Sequence, residues 1–242
     1  MKSSSKPADP VNYVFISIFF AIIYLTVQMG FFKTYLIHFP DFEGYVPLHH
    51  IHGVLMSSWL LLLIIQPLLV RSGRYKTHRF LGKLSYILAP LVLVSMFLIL
   101  RLSFHKNIAV NPVRNAIADI SFNIPQLFAF ALFYSLAIVH KNNTPKHMRY
   151  MIGTALIMIS AGLGRVLIQY FNLGVVPTLY IALFVQTGLA ISFLVYDIIN
   201  KKDRVPNIII ACSFLISTMI YYERYSDAYQ AFGKFFTDTF FR

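Results

Sequence analysis

The chain has 242 residues, of which 57% are hydrophobic and only 12% charged, with a mean hydropathy of +0.65. A soluble domain carries roughly 25% charged residues to coat its surface, so a water-soluble globule is excluded and the spacing of the apolar runs points to a bilayer. The single Cys212 rules out an intrachain disulfide and a cysteine-based zinc framework, and the formal charge of +12 sits mostly in short loops between apolar runs, which reads as membrane orientation rather than nucleic-acid binding.

Crossing the hydrocarbon takes about 20 mostly apolar residues. The first span is predicted over residues 11–32, which carry no charge. It is too long for a typical signal-peptide core, and no cleavage-type site follows it. The second span covers residues 49–70, the third 79–101 with an uncharged core at 84–100, the fourth 115–139 and the fifth 145–170. Residues 166–196 form one uncharged run that Asn172, Gly174 and Pro177 punctuate, so a sixth span is split off at 178–199; a seventh follows at 205–222. The expected fold is all-α: an integral membrane helical bundle of seven transmembrane helices over residues 1–224. Residues 225–242 follow as an amphipathic interfacial tail, in which Phe232, Phe235, Phe236, Phe240 and Phe241 alternate with Lys234, Asp238 and Arg242. Packing of that tail on the bundle is the alternative.

Seven spans segregate the basic residues. Lys2, Lys6, Arg71, Arg74, Lys76, Arg79, Lys83, Lys141, Lys146, Arg149, Lys201, Lys202 and Arg204 fall on one face, 13 of the 21. By the positive-inside rule that face is cytoplasmic. The expectation is a multi-pass protein of the cell inner membrane, amino terminus cytoplasmic and carboxy terminus outside.

Two helical hairpins echo one another, spans two–three and four–five. In each, a basic loop with a threonine, Thr77 or Thr144, leads into a helix that opens with a histidine, His78 or His147, and carries a glycine soon after, Gly82 or Gly153. The threonines are expected as caps, and the glycines allow close helix approach. A positive charge is disfavoured in a first helical turn, so both histidines should be neutral or engaged. At equal depth they can ligate a haem iron axially; hydrogen bonding to loops or lipid phosphate is the competing reading.

The run Leu48-His49-His50-Ile51-His52-Gly53-Val54-Leu55, followed by Trp59, Gln66-Pro67 and Thr77-His78-Arg79-Phe80-Leu81-Gly82, resembles a group of uncharacterised bacterial multi-pass membrane proteins over residues 48–90. More distantly, histidines at helix ends in a small bundle are similar to those of di-haem membrane cytochromes b, which implies haem b held by His78 and His147. Spans four, six and seven have no mid-membrane histidine, so the likeness accommodates at most one haem.

A second polar set gathers toward the other face. His49 and His52 are i, i+3 neighbours at the start of span two. Asp119 lies about a turn into span four, with Asn123 one turn deeper. Arg165 lies 18 residues after His147, about 27 Å along a helix at 1.5 Å per residue. Glu223 ends span seven on the same side. Charges inside a span are costly unless paired or wet, so an Asp119–Arg165 ion pair is expected. His49, His52 and Asp119 make a two-histidine, one-carboxylate set suited to a divalent transition metal, with Asn123, Arg165 and Glu223 as substrate-binding candidates. The same residues can instead bind a quinone or a lipid headgroup, Arg165 holding an anionic group. Phosphate-binding loops and nucleotide fingerprints are absent from the sequence, which excludes an ATP-driven pump within this chain. The expected function is therefore a redox-type or metal-binding site in the membrane; the competing class is a small permease or lipid-binding scaffold.

Overall fold

The computed structural model describes residues 12–242; Val11, where the first predicted span begins, and Lys2 and Lys6 lie outside them. The described elements are α1 (Tyr13–Phe32), α2 (Pro47–Arg71), α3 (Tyr75–Ile108), α4 (Val113–Val139), α5 (Thr144–Phe171), α6 (Val175–Ile199), α7 (Val205–Tyr222) and α8 (Asp227–Phe240), with a 3-10 turn at Leu36–His38. The first seven helices are long and apolar enough to cross a membrane. The chain is an all-α, multi-pass membrane protein.

Helix-end chemistry explains most boundaries. Asn12 accepts a hydrogen bond from the Phe15 amide at 3.0 Å and caps α1, satisfying one of the N–H groups that a helix start leaves unpaired. Asn172 closes α5 with φ 54°, a left-handed conformation asparagine tolerates, and Gly174 precedes α6. The break inside the uncharged run falls there, as predicted. The caps of the two echoed hairpins differ from expectation. Asn143, not Thr144, caps α5 by accepting from the Lys146 amide at 3.2 Å. α3 starts at Tyr75 without a side-chain cap, which puts Thr77 inside its first turn. α3 also runs 34 residues, about 51 Å. Arg79 and Arg101 bound its apolar run but are good helix formers, so the helix continues past both.

α1 packs on α2, α2 on α3, α3 on α4, α4 on α5, and α5 back on α1, a closed circuit of five helices. α6 lies against α5 and α7, and α7 against α4. α5 is the most enclosed span, 67% of its apolar window being buried against 22% for α2. Small residues permit this. A methyl at Gly30 would collide with the Gly162 carbonyl, and one at Gly162 would stand 2.8 Å from Val27 Cα, so α1 and α5 touch backbone to backbone. In the core, Trp59 is fully buried and packs edge-on to Phe130 and Tyr134 at 5.2 and 5.5 Å between ring centroids. Its indole N–H donates to Thr154 Oγ1 at 3.3 Å, tying α2 to α5.

The α1–α2, α3–α4 and α5–α6 connections share one end of the bundle, rich in Tyr35, Phe39, Phe42 and Tyr45 and called here the aromatic end. The other, basic end carries Arg71, Arg74, Lys76, Lys141, Lys201 and Lys202. The tail forms α8, which turns Tyr229 and Phe236 onto α4 and seats Phe241 against Phe97 and Phe104. Arg101 of α3 donates to the backbone carbonyls of Phe241 and Arg242 at 3.2 and 2.7 Å, and His105 donates to Phe241 O at 2.8 Å. The tail is thus bonded to the bundle.

Candidate functional site

The predicted metal set does not converge. Among the described residues no group of three or more His, Cys, Asp or Glu side chains is placed to hold a metal ion. His49 curls back to its own helix start, where its Nδ1 takes the Val46 N–H at 3.1 Å, a donor the first turn leaves unpaired. His52 turns across to α3 and pairs its Nδ1 with Ser95 Oγ at 3.0 Å. Asp119 is exposed and accepts from the Asn107 side chain. Shared depth did not bring the three together, because each found a nearer partner. His50 receives the Tyr35 hydroxyl; burial, with Tyr45 beside it, raises that phenol above the usual tyrosine range, which keeps it a donor.

The expected Asp119–Arg165 pair does not form either. Arg165 donates to Ala161 O at 3.2 Å and lies over the Phe31 ring, 4.1 Å from its centroid, a cation–π contact. Among the described residues no carboxylate lies within ion-pairing distance of it, and its other N–H donors meet no protein acceptor. Glu223 is exposed at the end of α7.

His78 and His147 open α3 and α5 at the basic end, and each is engaged by the helix before it. His147 Nδ1 donates to Ala137 O at 2.8 Å. The Gln66 amide nitrogen donates to His78 Nδ1 while its oxygen accepts from the Gly82 amide at 3.1 Å. Each histidine is thus held by a hydrogen bond from the protein itself.

What the structure does bring together is Asn123, Arg165 and Gln169. They line a cavity of about 340 Å³ near the aromatic end, with Thr34 after α1, Ser160 and Gly164 of α5, and Phe122 and Leu179 on its apolar side. Arg165 and Gln169 are one turn apart on α5 and so share a face. Gln169 Nε2 donates to Gly30 O at 3.3 Å, and its Oε1 is buried without a partner. Asn123 is exposed, and no hydrogen bond uses its amide among the described residues. Lys33 adds positive charge close by, donating to Gln169 O at 3.1 Å.

Two buried polar pairings were not foreseen from the sequence, although Arg149, Gln126 and Gln186 stand out in it. At the basic end Arg149 of α5 meets Asp197 of α6, and Asn207 of α7 donates to Asp197 Oδ2 at 2.6 Å. Mid-span, Gln126 and Gln186 exchange amide hydrogen bonds at 3.2 and 3.0 Å, and Gln186 also donates to Leu156 O at 3.2 Å. A signal existed for the first. A carboxylate near a helix C-terminus and an arginine near an N-terminus both oppose the helix dipole, and each asks for a partner.

These features define a helical membrane bundle with a positively charged cavity near one end. Comparisons with protein-family models, with curated proteins and with solved structures find no match for the chain.

Proposed function

We propose that this membrane protein binds a negatively charged small molecule or lipid headgroup in the Arg165 cavity. One observation carries the reading: Arg165 lies within a span, partly buried, beside an open cavity, and among the described residues no carboxylate neutralises it. A buried charge without a partner is costly, and an anionic ligand is the partner that the geometry leaves room for. Asn123 adds donors, and Phe122 and Leu179 accommodate an apolar body. The distribution of basic residues favours a cytoplasmic basic end, which turns the cavity toward the opposite side of the membrane. The dispersed histidines lend less support to a metal or redox role than Arg165 lends to anion binding.

A ligand that binds only the folded state raises its stability. Purified protein in neutral detergent, titrated with sodium propionate, sodium lactate or an anionic phospholipid, should show a saturable rise in melting temperature. Arg165→Gln should abolish that rise, and Arg165→Lys should weaken it. A rise that persists in Arg165→Gln, or none with any of these anions, would overturn the proposal.

A further inference from the structure

Resting on the anion-binding reading, we infer that the ligand of the Arg165 cavity is a monocarboxylate, a flat and singly charged oxyanion joined to a small apolar body. The inference comes from what lines the cavity around Arg165. Among the described residues of its wall Arg165 is the only charged one, so a single negative charge on the ligand is matched and a second is not. Lys33 stands close by but is engaged outside that set, its ammonium donating to Gln169 O at 3.1 Å and lying 4.2 Å from the centre of the Tyr170 ring. A charge taken out of water without a partner is costly, so a dianion is rejected for the same reason that Arg165 calls for an anion.

The guanidinium sets the shape of the charged group. Its carbon lies 4.1 Å from the centre of the Phe31 ring, which covers one face, and Nη1 donates to Ala161 O at 3.2 Å. What remains is an edge of a rigid planar fork, whose parallel N–H donors match the two oxygens of a carboxylate. Thr34 and Asn123, both exposed, offer further donors at the wall. Ser160 and Gln169 direct their donor groups to the Ile157 and Gly30 carbonyls. The other side chains are apolar, Phe122 of α4, Ala161 and Ile168 of α5 and Leu179 of α6, and hydrocarbon is the part of a ligand they can accept. Size limits that hydrocarbon. The volume of about 340 Å³ lies at the small end of ligand pockets, which run from about 300 to about 1,000 Å³. It suits a short carbon chain or one ring, and a phosphodiester with bulky groups on both sides fits it poorly.

Four probes test this by titration at neutral pH in neutral detergent: acetate, valerate, glutarate and a short-chain phosphatidylglycerol. Valerate and glutarate share a five-carbon chain and differ at one end, a methyl group against a second carboxylate. Valerate should bind about tenfold tighter or more than glutarate, because the second charge finds no partner in the wall. It should also bind about tenfold tighter or more than acetate, since each buried methylene contributes about fourfold. The phosphatidylglycerol should bind more weakly than valerate. These wild-type ratios decide the case without any variant. Leu179→Ala should in addition bring the valerate-to-acetate ratio down several-fold, and an unchanged ratio would remove the apolar body from the assignment. Glutarate or acetate binding as tightly as valerate, or tighter binding of the phosphatidylglycerol, in each case lost in Arg165→Gln, would overturn the monocarboxylate assignment alone. No Arg165-dependent binding by any of the four would overturn the anion-binding reading and this inference with it.

Discussion

Arg149 of α5 holds Asp197 of α6 through two parallel hydrogen bonds, Nε to Oδ2 at 2.7 Å and Nη2 to Oδ1 at 2.6 Å, and both side chains are buried. Arg149 also donates to Pro145 O at 3.0 Å, and Asn207 completes the carboxylate from α7. Three helices are fastened at one point where no water competes. Removing one partner of such a pair strands the other charge, at a cost of about 3–5 kcal/mol, whereas replacing both with well-packed apolar residues is often neutral. Asp197→Ala should therefore lower the unfolding free energy by about that amount, and Arg149→Leu with Asp197→Leu should recover most of it. Unfolding curves in one detergent for both single variants and the double decide the matter; a double variant as unstable as the sum of the singles would show that the two residues act independently.

Asp119 and Arg165 lead to the opposite expectation. Asp119 is exposed on Asn107, and Arg165 is stacked on Phe31. Asp119→Ala should shift stability by no more than about 0.5 kcal/mol, as exposed substitutions usually do. Its effect should simply add to that of Arg165→Gln, as for residues without shared partners. A coupling energy above about 1 kcal/mol in the double-mutant cycle would mean that the two side chains do meet.

The number of spans, their order and the segregation of charge were legible because a bilayer demands long apolar runs and tolerates few interruptions. Even the break near Asn172 showed, since asparagine and glycine end helices for local reasons. The site was legible only in part. Depth along a helix can be counted from the sequence, so Asn123 and Arg165 were placed at one level and do line one cavity. Which way each helix is rotated depends on contacts such as Gly30 against Gly162, which no single-chain pattern reveals. That rotation sends His52 to Ser95, and Asp119 is likewise drawn off to Asn107. Gln169 looks like an ordinary end-of-span glutamine until the Gly30 carbonyl fixes its amide.

Asp203, in the α6–α7 connection, provides a pH test outside the membrane. Burial would raise its pKa, but the Val205 amide at 3.1 Å and the Lys146 ammonium at 3.3 Å outweigh it and hold the carboxyl below the usual aspartate range. A carboxylate depressed in the folded state stabilises the fold above the unfolded value, about 3.9, and loses that contribution as pH falls through the lower folded value. Asp203→Asn should therefore be slightly less stable than the wild type at pH 7, and the difference should vanish in more acid solution. The side chain is 40% exposed, so screening limits the effect to a few tenths of a kcal/mol. Melting temperatures of the two proteins compared from pH 7 to pH 3 test this; a gap that widens on acidification contradicts the assignment.

Two glycines on α5 separate packing from ligand binding. At Gly162 a methyl would stand 2.8 Å from the Val27 backbone, so α1 has to move. Overpacking of this kind costs about 1–3 kcal/mol. α1 also supplies Phe31 beneath Arg165 and the Gly30 carbonyl that orients Gln169, so Gly162→Ala should lose stability and anion affinity together. At Gly164 a methyl would find only ordinary contacts, 3.7 Å to Thr178 and 4.0 Å to Leu179, yet it would project into the cavity wall. Gly164→Ala should melt within a degree or two of the wild type, a shift of well under 1 kcal/mol, while weakening anion binding several-fold. Melts without ligand and titrations with the anions that raise the wild-type melting temperature, on both variants, give the two readouts. If Gly164→Ala bound as tightly as the wild type, the ligand would have to sit elsewhere than against that wall.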